Sequence, residues 1–155
     1  MRAPFAVLVA ALLTACAGPP VCTAIGAPVG VLLDVEPPLA ARVDRAELEV
    51  CWSGACHRPE LILHPATAAV ETICAGDTCS ARMAETGGEH GFASVPGLPK
   101  SPVRARLKLR DADGRAVLDR TLDVTPEGRF PNGPECGEGG PNVQLVAGSG
   151  GVRAK

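Results

Sequence analysis

Apolar and polar residues alternate over several short stretches of the chain, most clearly in residues 103–110, where Val, Ala and Leu alternate with Arg and Lys. Such alternation predicts a half-buried β-strand, and Asp113-Gly114 is a strong hairpin turn signal. Folding there pairs apolar with apolar and basic with acidic residues. The predicted pairs are Val103 with Val124, Ala105 with Leu122, Leu109 with Leu118, Arg104 with Asp123 and Lys108 with Asp119. Arg120 opposite Leu107 is the one mismatch, which a bulge or an edge position would accommodate.

Residues 45–52 alternate in the same way and lead into Ser53-Gly54, a two-residue turn that predicts a second hairpin. Cys51 then faces Cys56 at a non-hydrogen-bonded position, with Cα atoms ~4.5 Å apart, which suits a cross-strand disulfide. The same register puts Glu49 opposite Arg58, Glu47 opposite Glu60, and Leu61 and Leu63 on the face of Trp52.

A third hairpin is predicted around Gly76-Asp77, because Cys74 and Cys79 repeat the spacing of the preceding cysteine pair. This register also places Glu71 opposite Arg82 and Val70 opposite Met83. Each hairpin disulfide is expected to stabilise the fold by ~2 kcal/mol.

Short strands and turns account for most of the remaining chain. Residues 29–35 form an apolar run closed by Glu36-Pro37-Pro38, residues 131–141 are a Pro/Gly loop, and residues 143–146 predict a last short strand. Nothing after the first sixteen residues shows sustained helical periodicity. We therefore expect an all-β fold, a β-sandwich of short antiparallel hairpins stapled by disulfides that resembles immunoglobulin-like domains. The resemblance is to architecture alone, because Cys51 and Trp52 point to opposite faces.

The first sixteen residues predict where the protein is located. An apolar run over residues 5–13 is too short to span a ~30 Å hydrocarbon core and suits a signal peptide. Leu13-Thr14-Ala15-Cys16 resembles the lipobox of bacterial lipoproteins, and the Ala-, Arg-, Gly- and Pro-rich composition resembles small lipoproteins of GC-rich Gram-positive bacteria. The resemblance implies cleavage before Cys16 and a lipid on its sulfur. The alternative is an ordinary secretory signal with Cys16 in a disulfide.

The resemblance divides the chain into a signal peptide (residues 1–15), a lipidated tether (16–28) and a single β-sandwich domain (29–155). It places that domain on the extracytoplasmic face of the cell membrane, held by the lipid. Two or three acyl chains would hold it stably, since each buried CH₂ contributes ~0.8 kcal/mol.

Six of the seven cysteines remain once Cys16 is lipidated, and an even number in an exported chain indicates disulfides. Beyond the two hairpin pairs, elimination leaves Cys22 with Cys136. Six cysteines allow 15 connectivities, so the hairpin geometry rather than the count carries this map.

Composition and charge exclude several functional classes. The formal net charge is −2 with no basic block, so nucleic acid is not an expected partner. Zinc ligands could be drawn from Cys51, Cys56, His57, His64, Cys74 and Cys79, but both cysteine pairs already suit hairpin disulfides. A Cys-x-x-Cys redox pair is absent, the Asp111–Gly114 segment lacks the remaining ligands of a calcium loop, and Ser149 lacks the frame of a nucleophile elbow. We expect no catalytic residue, metal or cofactor.

Residues 86–92 are predicted to form a flexible loop in which Glu89, His90 and Phe92 are candidate binding residues. The sequence thus favours a lipid-anchored cell-envelope protein whose β domain binds or scaffolds an extracytoplasmic protein or small ligand of unknown identity. The alternative is an envelope enzyme or metal-binding accessory protein that uses His57, His64 or His90 with nearby carboxylates.

Overall fold

A computed structural model describes residues 21–155 of the chain. These residues form ten strands, one four-residue helix (α1, Pro37–Ala40) and a 3-10 turn (Pro134–Cys136). The strands are β1 (Gly30–Val35), β2 (Arg45–Trp52), β3 (Ala55–His57), β4 (Leu63–Ala75), β5 (Thr78–Ser94), β6 (Val103–Arg110), β7 (Ala116–Val124), β8 (Glu127–Arg129), β9 (Gly139–Gly148) and β10 (Gly151–Ala154).

The strands lie in two sheets. One has the order β10-β9-β1-β5-β4, with β8 also paired to β9, and the other has the order β3-β2-β6-β7. The all-β, disulfide-stapled fold is therefore confirmed. Short antiparallel hairpins do not describe all of it, because β4 and β5 have 13 and 17 residues and β1 pairs parallel to β9.

The core lies between the sheets and follows from the alternation of each strand. Most inward-facing residues of β1, β2 and β6 are almost completely buried, whereas inward-facing Leu118 and Leu122 on the edge strand β7 and most neighbours on the outer faces are half-buried or exposed. The largest buried core side chains are Val31, Leu33, Val35, Val50, Val95, Leu107, Leu109 and Leu145. Leu61 is also buried, and Leu63 and Trp52 pack partly buried against the same cluster. The prediction that Leu61 and Leu63 share the Trp52 face of the β2–β3 hairpin is wrong, because β3 ends at His57 and Leu63 belongs to the other sheet.

The β6–β7 hairpin has every predicted pair, but its turn is built differently. Gly114 N–H donates to the Asp111 carbonyl (2.9 Å), so Ala112 and Asp113 occupy the corner and Gly114, with φ +79°, follows it. A register shift next to Arg110 then restores the predicted pairing. Arg120 opposite Leu107 is tolerated because β7 is an edge strand and Arg120 is exposed.

The β2–β3 hairpin pairs Cys51 with Cys56, and Arg58 forms the predicted ion pair with Glu49. The predicted pairing of Glu47 with Glu60 is wrong, because β3 ends at His57 and the chain then crosses to the other sheet. Glu47 is instead held by Arg110 on β6, whose Nε lies 2.6 Å from Glu47 Oε1.

The β4–β5 hairpin pairs Cys74 with Cys79 and Glu71 with Arg82 as predicted, but it continues much further. Val70 does not face Met83: it is an extra residue in a β-bulge, and Ala69 takes that position. The part of this hairpin over residues 67–85, here called the arm, is almost entirely solvent-exposed.

The predicted loop at residues 86–92 is wrong. This segment belongs to β5, which pairs with β4 on one side and, over residues 89–94, with β1 on the other. Thr86, Gly87 and Gly88 form a bulge where the arm meets the sandwich, and Gly87 has φ +77°. The Thr86 hydroxyl stabilises the bulge by donating to the Ala66 carbonyl (3.1 Å) and accepting from Gly88 N–H (3.2 Å).

The two ends of the described chain also differ from the prediction. The last strand is not residues 143–146 but the longer β9, which β10 follows as a further hairpin strand. The described part of the predicted tether is attached to the domain: Cys22 is bonded to Cys136, and the Asn132 amide donates to the carbonyls of Thr23 (3.1 Å) and Ile25 (2.7 Å). Within residues 21–155, no helix has the length and apolar character needed to cross a bilayer.

Candidate functional site

The three residues predicted to bind together do not share one surface. Because successive side chains of a strand point to opposite faces, Glu89 on β5 is directed inward, whereas His90 and Phe92 lie on the outer face. His90 and Phe92 are exposed and Glu89 is partly buried.

Glu89 lies on the inward face of β5, and its side chain has no hydrogen-bond or ion-pair partner among the described residues. Its Oε2 atom is buried and makes no hydrogen bond. Burial raises the pKa of the Glu89 carboxyl above its ordinary value, and the nearby negative charge of Asp44 raises it further. An unpaired carboxylate in this position costs stability rather than defining a site.

The outer face of the same sheet brings together a set of residues from three strands. Asp34 on β1 is opposite His90 on β5, and His90 is opposite His64 on β4. We call Asp34, His90 and His64 the histidine row. The two imidazole rings have centroids 6.1 Å apart and are inclined by 44°.

The histidine row lines an open depression of about 440 Å³. Its other lining residues are Leu32, Glu60, Ile62, Gly91 and Phe92. Gly91 permits the close approach of the chain at its edge, because a Cβ there would lie 2.6 Å from the Ile62 carbonyl oxygen. Asp34 is oriented by Gln144 on β9, whose amide donates to Asp34 Oδ2.

His57 lies on the other sheet, at the end of β3, and does not join this depression. Its ring stacks on Trp52, with centroids 4.1 Å apart and planes inclined by 14°. In residues 21–155, the one set of three His, Cys, Asp or Glu ligand atoms within 4.8 Å of one another belongs to Glu49, Cys51 and Cys56. Both of these sulfurs are in a disulfide, so they are not thiolates and do not form a zinc site.

The arm is the second candidate surface. Val70, Ile73 and Met83 are 53, 60 and 53% exposed on it, which is unusual for large apolar side chains in so short a segment. The arm is held together by its own strand pairing, by the Cys74–Cys79 disulfide near its tip and by the Arg82–Glu71 ion pair (3.3 Å).

The outer face of the second sheet is strongly charged but internally paired. A basic strand, β6, lies between acidic positions on β2 and β7. Two hydrogen bonds from Arg106, at 2.9 and 2.8 Å, lower the pKa of Asp119 to about 2, with Lys108 contributing. The hydrogen bond from Arg110 likewise lowers the pKa of Glu47. This pairing is typical of a solvated face.

The remaining motifs have structural roles. Asp111 Oδ1 accepts a hydrogen bond from Arg115 N–H (2.8 Å), and Asp113 forms an ion pair with Arg115, so the Asp-rich segment is a hairpin turn. Ser149 lies in the turn between β9 and β10. Cys16 and the lipobox lie outside the described residues.

Residues 21–155 thus form an all-β fold of two sheets with three disulfides. No protein-family model, curated protein or solved structure matches the chain. The likeness to immunoglobulin-like domains therefore stays a prediction.

Proposed function

We propose that this protein is a lipid-anchored module of the cell envelope that binds another extracytoplasmic protein through its arm. The observation that carries the proposal is the arm itself. Its 19 residues, 67–85, extend a strand pair beyond the sandwich and expose large apolar side chains to solvent. Folding alone gives no reason for this extension, because the arm contributes nothing to the buried core cluster.

The arm has the properties of a binding element. Its disulfide and its strand pairing hold the two strands in register, so little conformational freedom is lost when a partner binds. The apolar side chains of Val70, Ile73 and Met83 offer area whose removal from water is favourable. Strand alternation places Ile73 and Met83 on opposite faces of the arm. The partner we propose is therefore a protein with an apolar groove that contacts both faces of the arm.

The proposed location rests on two sequence features that agree. Leu13-Thr14-Ala15-Cys16 supplies the anchor, and six further cysteines pair completely, as expected for a chain that folds outside the cytoplasm. Cys22 lies six residues after Cys16 and is bonded to the domain, so the lipid would hold the sandwich close to the membrane.

Site-specific photo-crosslinking in cells tests this function. A photoreactive residue at Ile73 or Met83 should give a discrete adduct with one envelope protein, and Ile73→Asp should reduce the adduct formed from position 83. Thr121, exposed on the outer face of β7, is the matched control position and should give no such adduct. The proposal fails if the arm positions give no adduct, or if Thr121 gives the same one.

The alternative class, an enzyme or metal-binding accessory protein, is favoured by one observation. Two histidines and two carboxylates line the same depression on the outer face of β1, β5 and β4.

A further inference from the structure

We propose that the depression at the histidine row is a binding site for a divalent transition-metal ion such as Zn²⁺ or Cu²⁺. His64 and His90 would be its principal ligands, and Asp34 and Glu60 would supply carboxylate oxygens. The site lies on the sandwich part of β4 and β5, outside the arm, and does not depend on the function proposed for the arm.

The spacing of the two imidazoles suits one shared ion. A metal–nitrogen distance of 2.0–2.1 Å places the ion about 3 Å from each ring centre, so two rings on one ion lie within about 6 Å of each other. The observed separation is 6.1 Å between residues that are direct cross-strand partners. The rings therefore lie at the outer limit for one shared ion, and rotation of the two exposed side chains would bring them to the required distance without any change in the backbone.

Three of the four proposed ligands, His64, His90 and Glu60, have donor atoms that no other described side chain occupies. Among the described residues, neither imidazole makes a hydrogen bond, and Glu60 makes no ion pair. No set of three of these ligand atoms is already within 4.8 Å, so the exposed side chains must rotate to enclose an ion. Asp34 differs, because its carboxylate accepts a hydrogen bond from the Gln144 amide. Hydrogen bonds of this kind, from residues that do not bind the ion, commonly orient the ligands of metal sites.

Charge and ligand type select the class of ion. The depression contains the carboxylates of Asp34 and Glu60, and no Lys or Arg lines it. Calcium and magnesium prefer sites made only of oxygen, whereas imidazole ligands favour zinc, copper and nickel. The mixed donor set therefore favours a transition metal.

Calorimetric titration of Zn²⁺ into the purified full-length chain, with its disulfides intact, tests the site. We expect one ion per chain, and His64→Gln and His90→Gln should each weaken zinc affinity at least tenfold. Asp34→Asn should weaken it less, because carboxylates are the secondary ligands. His57→Gln is the matched control, since this third histidine stacks on Trp52 away from the depression, and its zinc affinity should equal that of the wild type.

Three results would overturn the proposal: no zinc binding by the wild type, affinity unchanged in both His64→Gln and His90→Gln, or an equal loss in His57→Gln. The second result would place the zinc elsewhere on the chain. Ile73→Asp, which tests the arm, should leave zinc affinity unchanged, so the two proposals fail separately. Both histidines are exposed, and matching circular dichroism spectra will show that the variants are folded.

Discussion

Removing the Cys22–Cys136 disulfide should destabilise the protein more than removing Cys51–Cys56. The two bridges span sequence separations of 114 and 5 residues. In the chain-entropy model these separations correspond to about 4.8 and about 2.1 kcal/mol, because the longer loop restricts the unfolded chain more. The expected difference is about 2.7 kcal/mol.

The two variants can be compared because native contacts remain around each site after its disulfide is removed. Without the Cys22–Cys136 bond, the Asn132 amide still holds the carbonyls of Thr23 and Ile25. Without the Cys51–Cys56 bond, β3 still pairs with β2 over three residues. Neither change removes a buried core side chain, so the unfolded state should dominate both effects.

Urea unfolding of the full-length chain measures the difference. The variants are Cys22→Ser/Cys136→Ser and Cys51→Ser/Cys56→Ser, which each remove two sulfurs and leave no unpaired thiol from the bridge. The first should unfold at a midpoint about 1–3 M urea below the second, given a slope of about 1–3 kcal/mol per molar. Equal midpoints, or a lower midpoint for the hairpin variant, would refute the loop-length reasoning.

Further changes test the core and the charged groups. Leu107→Ala, at a fully buried position, should lower the free energy of unfolding by about 3 kcal/mol, and Leu118→Ala, half-buried on an edge strand, by about 1 kcal/mol, as measured in urea. Glu89→Gln should raise stability at pH 7 and change little below pH 4, because a raised carboxyl pKa means that ionisation costs the folded state; unfolding from pH 3 to 8 measures this. Asp119→Asn should lower the free energy of unfolding at neutral pH and make it depend less on pH in acid. The wild type loses the Asp119 contribution as pH falls from about 4 towards the folded-state pKa of about 2. An acid unfolding profile unchanged in Asp119→Asn would contradict the ion pair with Arg106.

The sequence predicts local hairpins well, because both partners are close in the chain. The β6–β7 register follows from opposite charges at facing positions, such as Lys108 with Asp119. The disulfide hairpins follow from equal cysteine spacing around short turns. The turn at Asp111–Gly114 was predicted less accurately. Its corner lies one residue earlier than predicted, and a bulge next to Arg110 compensates for this difference.

The strand over residues 86–92 was not predicted because its inward positions carry no large apolar side chain. Gly91 and Ala93 face the core where a strand normally shows Val or Leu. Small residues are needed there: a Cβ on Gly88 would lie 2.9 Å from the Val35 carbonyl oxygen, and one on Gly91 would meet Ile62. A Gly-rich segment that reads as a loop is therefore a closely packed strand.

The histidine row depends on pairings between distant parts of the chain. Alternation with buried Val31, Leu33 and Val35 already places Asp34 on the outer face of β1. Nothing local indicates that β5 lies beside β1, which is what brings His90 next to Asp34. Long-range strand order is set by the packing of the whole sandwich, so this site becomes visible only in the folded chain.

The claim on which the proposed location depends is that Cys16 carries a lipid. Metabolic labelling with radioactive palmitate, followed by membrane fractionation, tests it in wild-type and Cys16→Ser chains. The wild type should be labelled and sediment with membranes, and Cys16→Ser should carry no label. A wild-type chain without label, or a Cys16→Ser chain labelled as strongly, would contradict the anchor.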